Sequence, residues 1–176
     1  MKTTSTSILL AAALFTACSE KPATSETTTA PSTAALSAVI DAPVEGQPQA
    51  IHTARESVKP GDTVTISGRV MGNVSPFVDG RAAFILGDPA VLTACSDRPD
   101  DECKTPWDTC CDTKEDRQRG TATIQVVGDD GRVLKEGIEG VGGIEKLSNL
   151  IVSGTVAEGS SNDRLVLNAT AIDLTK

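Results

Sequence analysis

Apolar and polar residues alternate along most of the chain after residue 60, as they do in strands that bury one face. In the first such segment Val64, Ile66 and Val70 share one face. The pattern predicts strands at residues 63–70, 81–86, 121–127, 132–135, 150–156 and 164–174. The segment that predicts a helix is 141–147, which is about two turns long. This part of the chain is therefore predicted to be mainly β.

Two of the predicted strands share a short motif with an internal glycine. It is Ile66-Ser67-Gly68-Arg69-Val70 in one strand and Val152-Ser153-Gly154-Thr155-Val156 in the other. Glycine inside a strand often marks a bulge or a sharp bend, and small barrels need such bends. Five or six predicted strands over 62–174, with one short helix before the last two, resemble the OB-fold order of three strands, a helix and two strands. This resemblance implies a small five- or six-stranded barrel with an insertion at 88–120; an eight-stranded sandwich is the alternative.

The N-terminal residues have the order of a secretory signal. Lys2 supplies a positive charge, an apolar run follows at 8–15, and Thr16-Ala17 are small. The run is shorter than the ~20 residues that span a bilayer. The region after it is rich in Ser, Thr, Ala, Pro and Glu and has little apolar surface to bury. We therefore predict a signal peptide at 1–17, a disordered tether at 18–50 and one folded domain at 51–176.

The segment Leu14-Phe15-Thr16-Ala17-Cys18 resembles the lipobox of bacterial lipoproteins, although Phe15 stands where that family usually has Leu. The resemblance implies cleavage before Cys18, acylation of this cysteine and anchoring in a lipid bilayer. Because Ser19 rather than Asp follows the cysteine, it also implies the outer membrane of the cell envelope, with the domain facing the periplasm. An ordinary cleaved signal is the alternative.

The predicted domain is acidic and poor in aromatic residues. Residues 51–176 contain 14 Lys and Arg against 20 Asp and Glu, and the whole chain has one Trp, three Phe and no Tyr. Negative charge repels phosphate backbones, and stacking on bases needs aromatic side chains. Binding to nucleic acid is therefore disfavoured.

Four cysteines lie in the predicted insertion: Cys95, Cys103, Cys110 and Cys111. An exported protein meets an oxidising compartment, so this even number predicts two disulfides that staple the loop. A bridge between the adjacent Cys110 and Cys111 would be strained. Each of these two is therefore expected to join Cys95 or Cys103, and the sequence leaves both connectivities open.

The alternative for the same four cysteines is a metal site, because thiolates bind zinc and Cu(I). Their spacing of seven, six and no intervening residues lacks the paired hooks of structural zinc sites. His52, the one histidine, is predicted to be a solvated residue at the entrance of the domain. Thiol-redox catalysis is a further alternative, but a C-x-x-C motif is absent and the acidic Asp108 and Asp112 flank the pair.

Pro106, Trp107 and Asp108 form a candidate recognition loop. They belong to residues 105–111, Thr-Pro-Trp-Asp-Thr-Cys-Cys, which resemble a short motif of small secreted bacterial lipoproteins. That resemblance implies no activity. Trp107 is expected to pack on the disulfides, with Pro106 stiffening its approach.

Motifs of catalysis are missing from the sequence. There is no G-x-S-x-G, and the glycine-rich segment 137–143 matches neither common phosphate-binding pattern. The carboxylates of the insertion lack calcium-loop spacing, which favours a mixed-charge surface. We therefore expect a non-enzymatic binding module without a cofactor that contacts an envelope protein. Metal binding is the first alternative, and a thiol-redox or hydrolytic enzyme is the second.

Overall fold

The computed structural model describes residues 31–99 and 102–175, with side chains from residue 34 onward. The predicted signal peptide, Cys18 and the first part of the predicted tether lie outside the described residues. The helices are α1 Pro31–Asp41, α2 Ile51–Arg55 and α3 Lys114–Gly120, with single 3-10 turns at Cys95–Asp97 and Val141–Gly143. The strands are β1 Gln49–Ala50, β2 Thr63–Val70, β3 Ala83–Gly87, β4 Thr121–Gln125, β5 Asn149–Val156 and β6 Leu165–Thr175.

Five strands close into a barrel in the order β2-β3-β4-β6-β5, and β5 returns to pair with β2. The β4–β6 pair is parallel, and the other pairs within the barrel are antiparallel. The short β1 adds to β2 in parallel as a sixth strand. The fold is thus mainly β and consistent with a small OB-like barrel, as the alternation of apolar residues predicted.

Both glycines of the repeated strand motif lie where two backbones come close. The β5–β6 ladder shifts register between Ser153 and Gly154, which is the predicted bulge. A Cβ on Gly154 would overlap the Asn168 carbonyl oxygen. A Cβ on Gly68 would lie 2.7 Å from the carbonyl oxygen of Gly87. Only glycine fits such approaches, so these two positions allow the sheet to curl tightly.

The apolar faces of the strands fill the barrel, with Ile66, Phe84, Ile124 and Leu167 fully buried. Helix α1 packs against β6 and places Leu36, 2% exposed, in the same core. The described part of the predicted tether therefore contains a helix and a strand that belong to the domain. The boundary expected at residue 51 is too late because Leu36 buries an apolar side chain that the polar composition around it obscured.

Two other predicted elements are shorter than expected. The helix predicted at 141–147 is a single 3-10 turn, because Gly140, Gly142 and Gly143 all adopt positive φ angles that an α-helix does not tolerate. The strand predicted at 132–135 is reduced to one bridge between Val127 and Val133. Among the described residues, none of the helices has the length and apolar character needed to cross a bilayer.

Candidate metal centre

The insertion between β3 and β4, residues 88–120, is built mainly by backbone hydrogen bonds and is hereafter called the insertion loop. Its base is closed by the Asp88 N–H, which donates to the Gly120 carbonyl at 2.8 Å. Further along, the Cys95 N–H donates to the Asp108 carbonyl at 2.8 Å and the Ser96 N–H to that of Pro106 at 2.9 Å. These bonds join two arms of the loop, so that residues 95 and 110 lie on adjacent segments of the backbone.

The side chain of Asp112 ties the two arms together a second time. Its Oδ2 accepts the Thr93 N–H at 2.9 Å, and its Oδ1 lies 2.5 Å from the Arg98 guanidinium. The chain then enters α3, whose first turn is capped by the Thr113 hydroxyl accepting the Asp116 N–H at 3.0 Å. The backbone of the two arms that carry Cys95 and Cys110 is therefore fixed by hydrogen bonds.

Three cysteines of the insertion loop converge. The Sγ atoms of Cys95, Cys103 and Cys110 all lie within 4.8 Å of one another, and those of Cys95 and Cys110 are 3.7 Å apart. Exposure rises along the set: Cys95 is 1% exposed, Cys103 is half-buried and Cys110 is exposed. We call these three residues the thiol cluster. Cys111 stands beside it, with its Sγ 3.9 Å from that of Cys110.

The structure contains none of the predicted disulfides. A disulfide bond is about 2.05 Å long, whereas the two Sγ separations involving Cys110 are 3.7 and 3.9 Å. All four cysteines of the loop are thiols. The prediction of two bridges is therefore wrong for this structure: backbone hydrogen bonds and the Asp112 ion pair hold the loop without them.

The thiol cluster has the geometry of a metal site. Thiolates at about 2.3 Å from one tetrahedral or trigonal metal lie somewhat under 4 Å from each other, and the Cys95–Cys110 separation of 3.7 Å fits that spacing. Within residues 31–99 and 102–175, this is the one group of three or more His, Cys, Asp or Glu ligand atoms close enough to hold an ion. Because all three donors are sulfur, the set favours a soft metal.

The thiols of the cluster differ in acidity. The Thr105 hydroxyl lies 3.2 Å from Cys103 Sγ, and hydrogen bonding by this hydroxyl and then by the Thr105 backbone lowers the pKa of the Cys103 thiol. At Cys110 the hydrogen bond with Cys95 acts to lower the pKa. The contact with Cys111, together with partial desolvation of the sulfur, outweighs it and raises the pKa of Cys110 above the ordinary value. Of these two thiols, Cys103 is therefore the one that ionises first.

The candidate recognition residues attach the insertion loop to the end of the barrel. The Trp107 indole N–H donates to the Val74 carbonyl at 2.9 Å, and the Trp107 carbonyl accepts the Gly72 N–H at 3.1 Å. Lys146 Nζ lies 4.9 Å from the centre of the indole ring, in cation–π range. Asp108 is buried and accepts the Thr109 N–H at 2.7 Å. Trp107 thus packs against the β2–β3 connection at 72–74 and against Lys146 rather than on disulfides.

His52 is held by a buried carboxylate and is not the solvated residue that the sequence predicted. Its Nδ1 lies 2.7 Å from Asp88 Oδ2, which also accepts the His52 backbone N–H at 3.0 Å. Burial acts to raise the pKa of Asp88, but the hydrogen bonds from His52 and from the Ala90 N–H outweigh it and lower that pKa. The pair links α2 to the start of the insertion loop, and His52 is not a member of the thiol cluster.

The acidic residues of the insertion loop that the structure describes include several ion-paired ones, in line with the mixed-charge surface predicted for them. Asp97 pairs with Arg69 at 2.5 Å, and Asp116 with Arg119 at 2.9 Å. Asp100 and Asp101 lie outside the described residues. No pattern in the sequence indicated the Asp88–His52 pair, because 36 residues separate its members.

Comparisons with protein-family models, with curated proteins and with solved structures yield no match to this chain. The geometry of the thiol cluster is therefore the basis on which a function is inferred.

Proposed function

We propose that this domain is a non-enzymatic, metal-binding module that holds a soft metal ion through Cys95, Cys103 and Cys110. The observation that carries the proposal is the convergence of the three Sγ atoms within 4.8 Å. Metal affinity is highest when ligands are already positioned, because the ordering cost is met by folding rather than by binding. The paired backbone bonds of Cys95 and Ser96 supply that positioning for Cys95 and for the arm that carries Cys110.

The proposed setting is the bacterial envelope. The lipobox-like segment ending at Cys18 supports a lipid anchor in the bilayer, and the export signal supports a domain facing the periplasm. The acidic charge of the domain argues against nucleic acid as a ligand. In this compartment bound metal would also protect the cluster, since thiolates committed to a metal are not available for oxidation.

The proposal is tested with full-length protein carrying Cys18→Ser, which removes the fifth thiol. Reduced protein is titrated without oxygen, once with Cu(I) and once with Zn(II). We expect one equivalent of metal to bind, and Cys95→Ser and Cys110→Ser each to weaken binding at least about tenfold. Saturation by neither metal would contradict the proposal.

A second measurement addresses the state of the thiols in the envelope. Native protein is isolated from membranes in the presence of an alkylating reagent, and its mass is measured. Alkylation of all four cysteines of the insertion loop after metal removal supports the thiol cluster. Recovery of the loop with two disulfides would contradict this proposal and support the bridges predicted from the sequence.

A second candidate function is contact with an envelope protein at the barrel end that carries Val74 and Trp107. Val74 is 63% exposed, which is high for an apolar side chain, and its carbonyl anchors the indole. Val74→Asp removes the exposed apolar group but keeps that carbonyl, so the loop stays attached. Chemical crosslinking in membranes should then lose a specific adduct in Val74→Asp and keep it in the exposed control Ser75→Asp. Equal crosslinking in both variants would exclude this surface.

A further inference from the structure

We infer that Cys111 is the exchange ligand through which Cu(I) enters and leaves the thiol cluster. This inference rests on the proposed metal-binding function and names both the ion and the residue that moves it. It follows from the number of donors in the cluster, the gradient of exposure across the cysteines and the way the backbone around Cys111 is held.

The number of donors selects the ion. The cluster provides three sulfur atoms, and within the described residues neither a histidine nor a carboxylate joins them within 4.8 Å. Structural zinc is almost always bound by four ligands in a tetrahedron. Cu(I) prefers soft thiolates and is satisfied by three of them. The set therefore fits Cu(I) better than Zn(II).

The cysteines differ in their exposure to solvent, and this difference defines the path by which an ion enters the cluster. Cys95 is at the buried end, whereas Cys110 and Cys111 are both exposed. An ion arriving from solvent meets the exposed pair first and the buried cysteine last. Because the Sγ atoms of Cys110 and Cys111 are 3.9 Å apart, one ion can bridge both of them without movement of the backbone. Cys111 thus stands at the mouth of the site, outside the set of three.

The backbone on both sides of Cys111 is fixed by a single guanidinium. Arg117 Nη1 donates to the Cys110 carbonyl at 3.2 Å and to the Asp112 carbonyl at 2.6 Å. Asp112 is in turn held by its ion pair with Arg98. The freedom left to Cys111 is therefore rotation of its own side chain, which is the motion that an exchange ligand needs.

The exchange is a substitution of ligands in which copper remains Cu(I) and no electron is transferred. The Cys111 thiol gives its proton to water as its sulfur forms a bond to copper, and the bond to Cys95 breaks as that sulfur takes up a proton. Copper is then held by Cys103, Cys110 and Cys111. An acceptor with two thiolates, on a protein or a small molecule, completes the transfer: its sulfurs form two bonds to copper as the bonds to Cys103, Cys110 and Cys111 break, and each released sulfur takes up a proton from water. Loading runs through the same steps in reverse.

The test compares full-length proteins that all carry Cys18→Ser. The parent, Cys111→Ser and Cys95→Ser are loaded with Cu(I) without oxygen, and transfer to excess bicinchoninate, a coloured Cu(I) chelator, is followed in time. We expect Cys111→Ser to bind one equivalent as the parent does but to release it about tenfold more slowly. Cys95→Ser should lose tight binding.

Each result separates the inference from the function on which it rests. A parent that does not bind Cu(I) would overturn the inference, and one that binds neither Cu(I) nor Zn(II) would overturn the proposed function as well. Parent-like release by Cys111→Ser, with binding intact, would overturn the role of Cys111 and leave metal binding standing. Loss of binding in Cys111→Ser would also overturn the inference, because Cys111 would then be a resident fourth ligand. Because Cys111 is exposed, circular dichroism of the variant should match the parent.

Discussion

Asp88 and His52 are joined by two hydrogen bonds to one carboxylate oxygen. Oδ2 of Asp88 lies 2.7 Å from the imidazole Nδ1 and accepts the backbone N–H of the same residue at 3.0 Å. With Asp88 only 1% exposed, this is a buried charge whose partners are fixed by α2. The pair ties the start of the insertion loop to the barrel.

We predict that Asp88→Asn lowers the free energy of unfolding at pH 7 by about 1–3 kcal/mol, since a buried charge-assisted hydrogen bond is lost. The pKa of Asp88 is lower in the folded protein than in the unfolded chain. Its stabilisation is therefore fully present above the unfolded pKa near 4 and is lost as pH falls through the folded pKa. Urea unfolding should show the gap between wild type and variant closing at acid pH.

The control for this prediction is Asp173→Asn, at an exposed position of β6. The free energy of unfolding of this variant should stay within about 0.5 kcal/mol of that of wild type. A gap between Asp88→Asn and wild type that is unchanged at acid pH would mean that the ionised carboxylate is not the source of the stabilisation.

We predict that Gly154→Ala destabilises the barrel by about 2 kcal/mol or more, because the added Cβ would overlap the Asn168 carbonyl oxygen. The matched substitution Gly137→Ala adds a Cβ with no heavy atom within 4 Å and needs no unusual φ. It should be nearly neutral. Thermal unfolding of the two variants measures the difference, and equal melting temperatures would show that the β5–β6 crossing is looser than described.

We predict that Leu36→Ala lowers the free energy of unfolding by about 2–4 kcal/mol, as expected for a leucine buried in the core. Ala38→Gln, at an exposed position of the same helix, introduces another good helix former. It should change the free energy of unfolding by less than about 0.5 kcal/mol. Chemical denaturation tests both. If the two variants unfold alike, α1 does not belong to the cooperative domain, and the boundary at residue 51 is restored.

The barrel could be predicted from the sequence because alternation with period two is a local signal, and each strand buries one face. Strand β2 was predicted at its observed bounds, and the glycine of β5 was predicted as a bend. Helix α1 was not predicted because it lies in a region rich in Ser, Thr and Pro, so its own apolar residues, with Leu36 the buried one, were assigned to the disordered tether. The prediction of a helix at 141–147 was wrong because glycines can take φ angles that no pattern of hydrophobicity reveals.

The candidate site was predictable in composition but not in arrangement. Four cysteines within 17 residues marked the insertion loop, and the compartment argued for disulfides. Which sulfur atoms meet depends on the pairing of the two arms through Asp108, Pro106 and Asp112, and this pairing has no sequence signature. The position of Arg117 across Cys111 likewise depends on where α3 begins, which is set by the Thr113 cap.

The most direct test of the thiol cluster is X-ray absorption at the copper edge of Cu(I)-loaded, full-length protein carrying Cys18→Ser. The structure predicts three sulfur neighbours at about 2.3 Å and no nitrogen or oxygen neighbour. Two sulfur neighbours, or nitrogen or oxygen in the first coordination sphere, would contradict a site made of Cys95, Cys103 and Cys110.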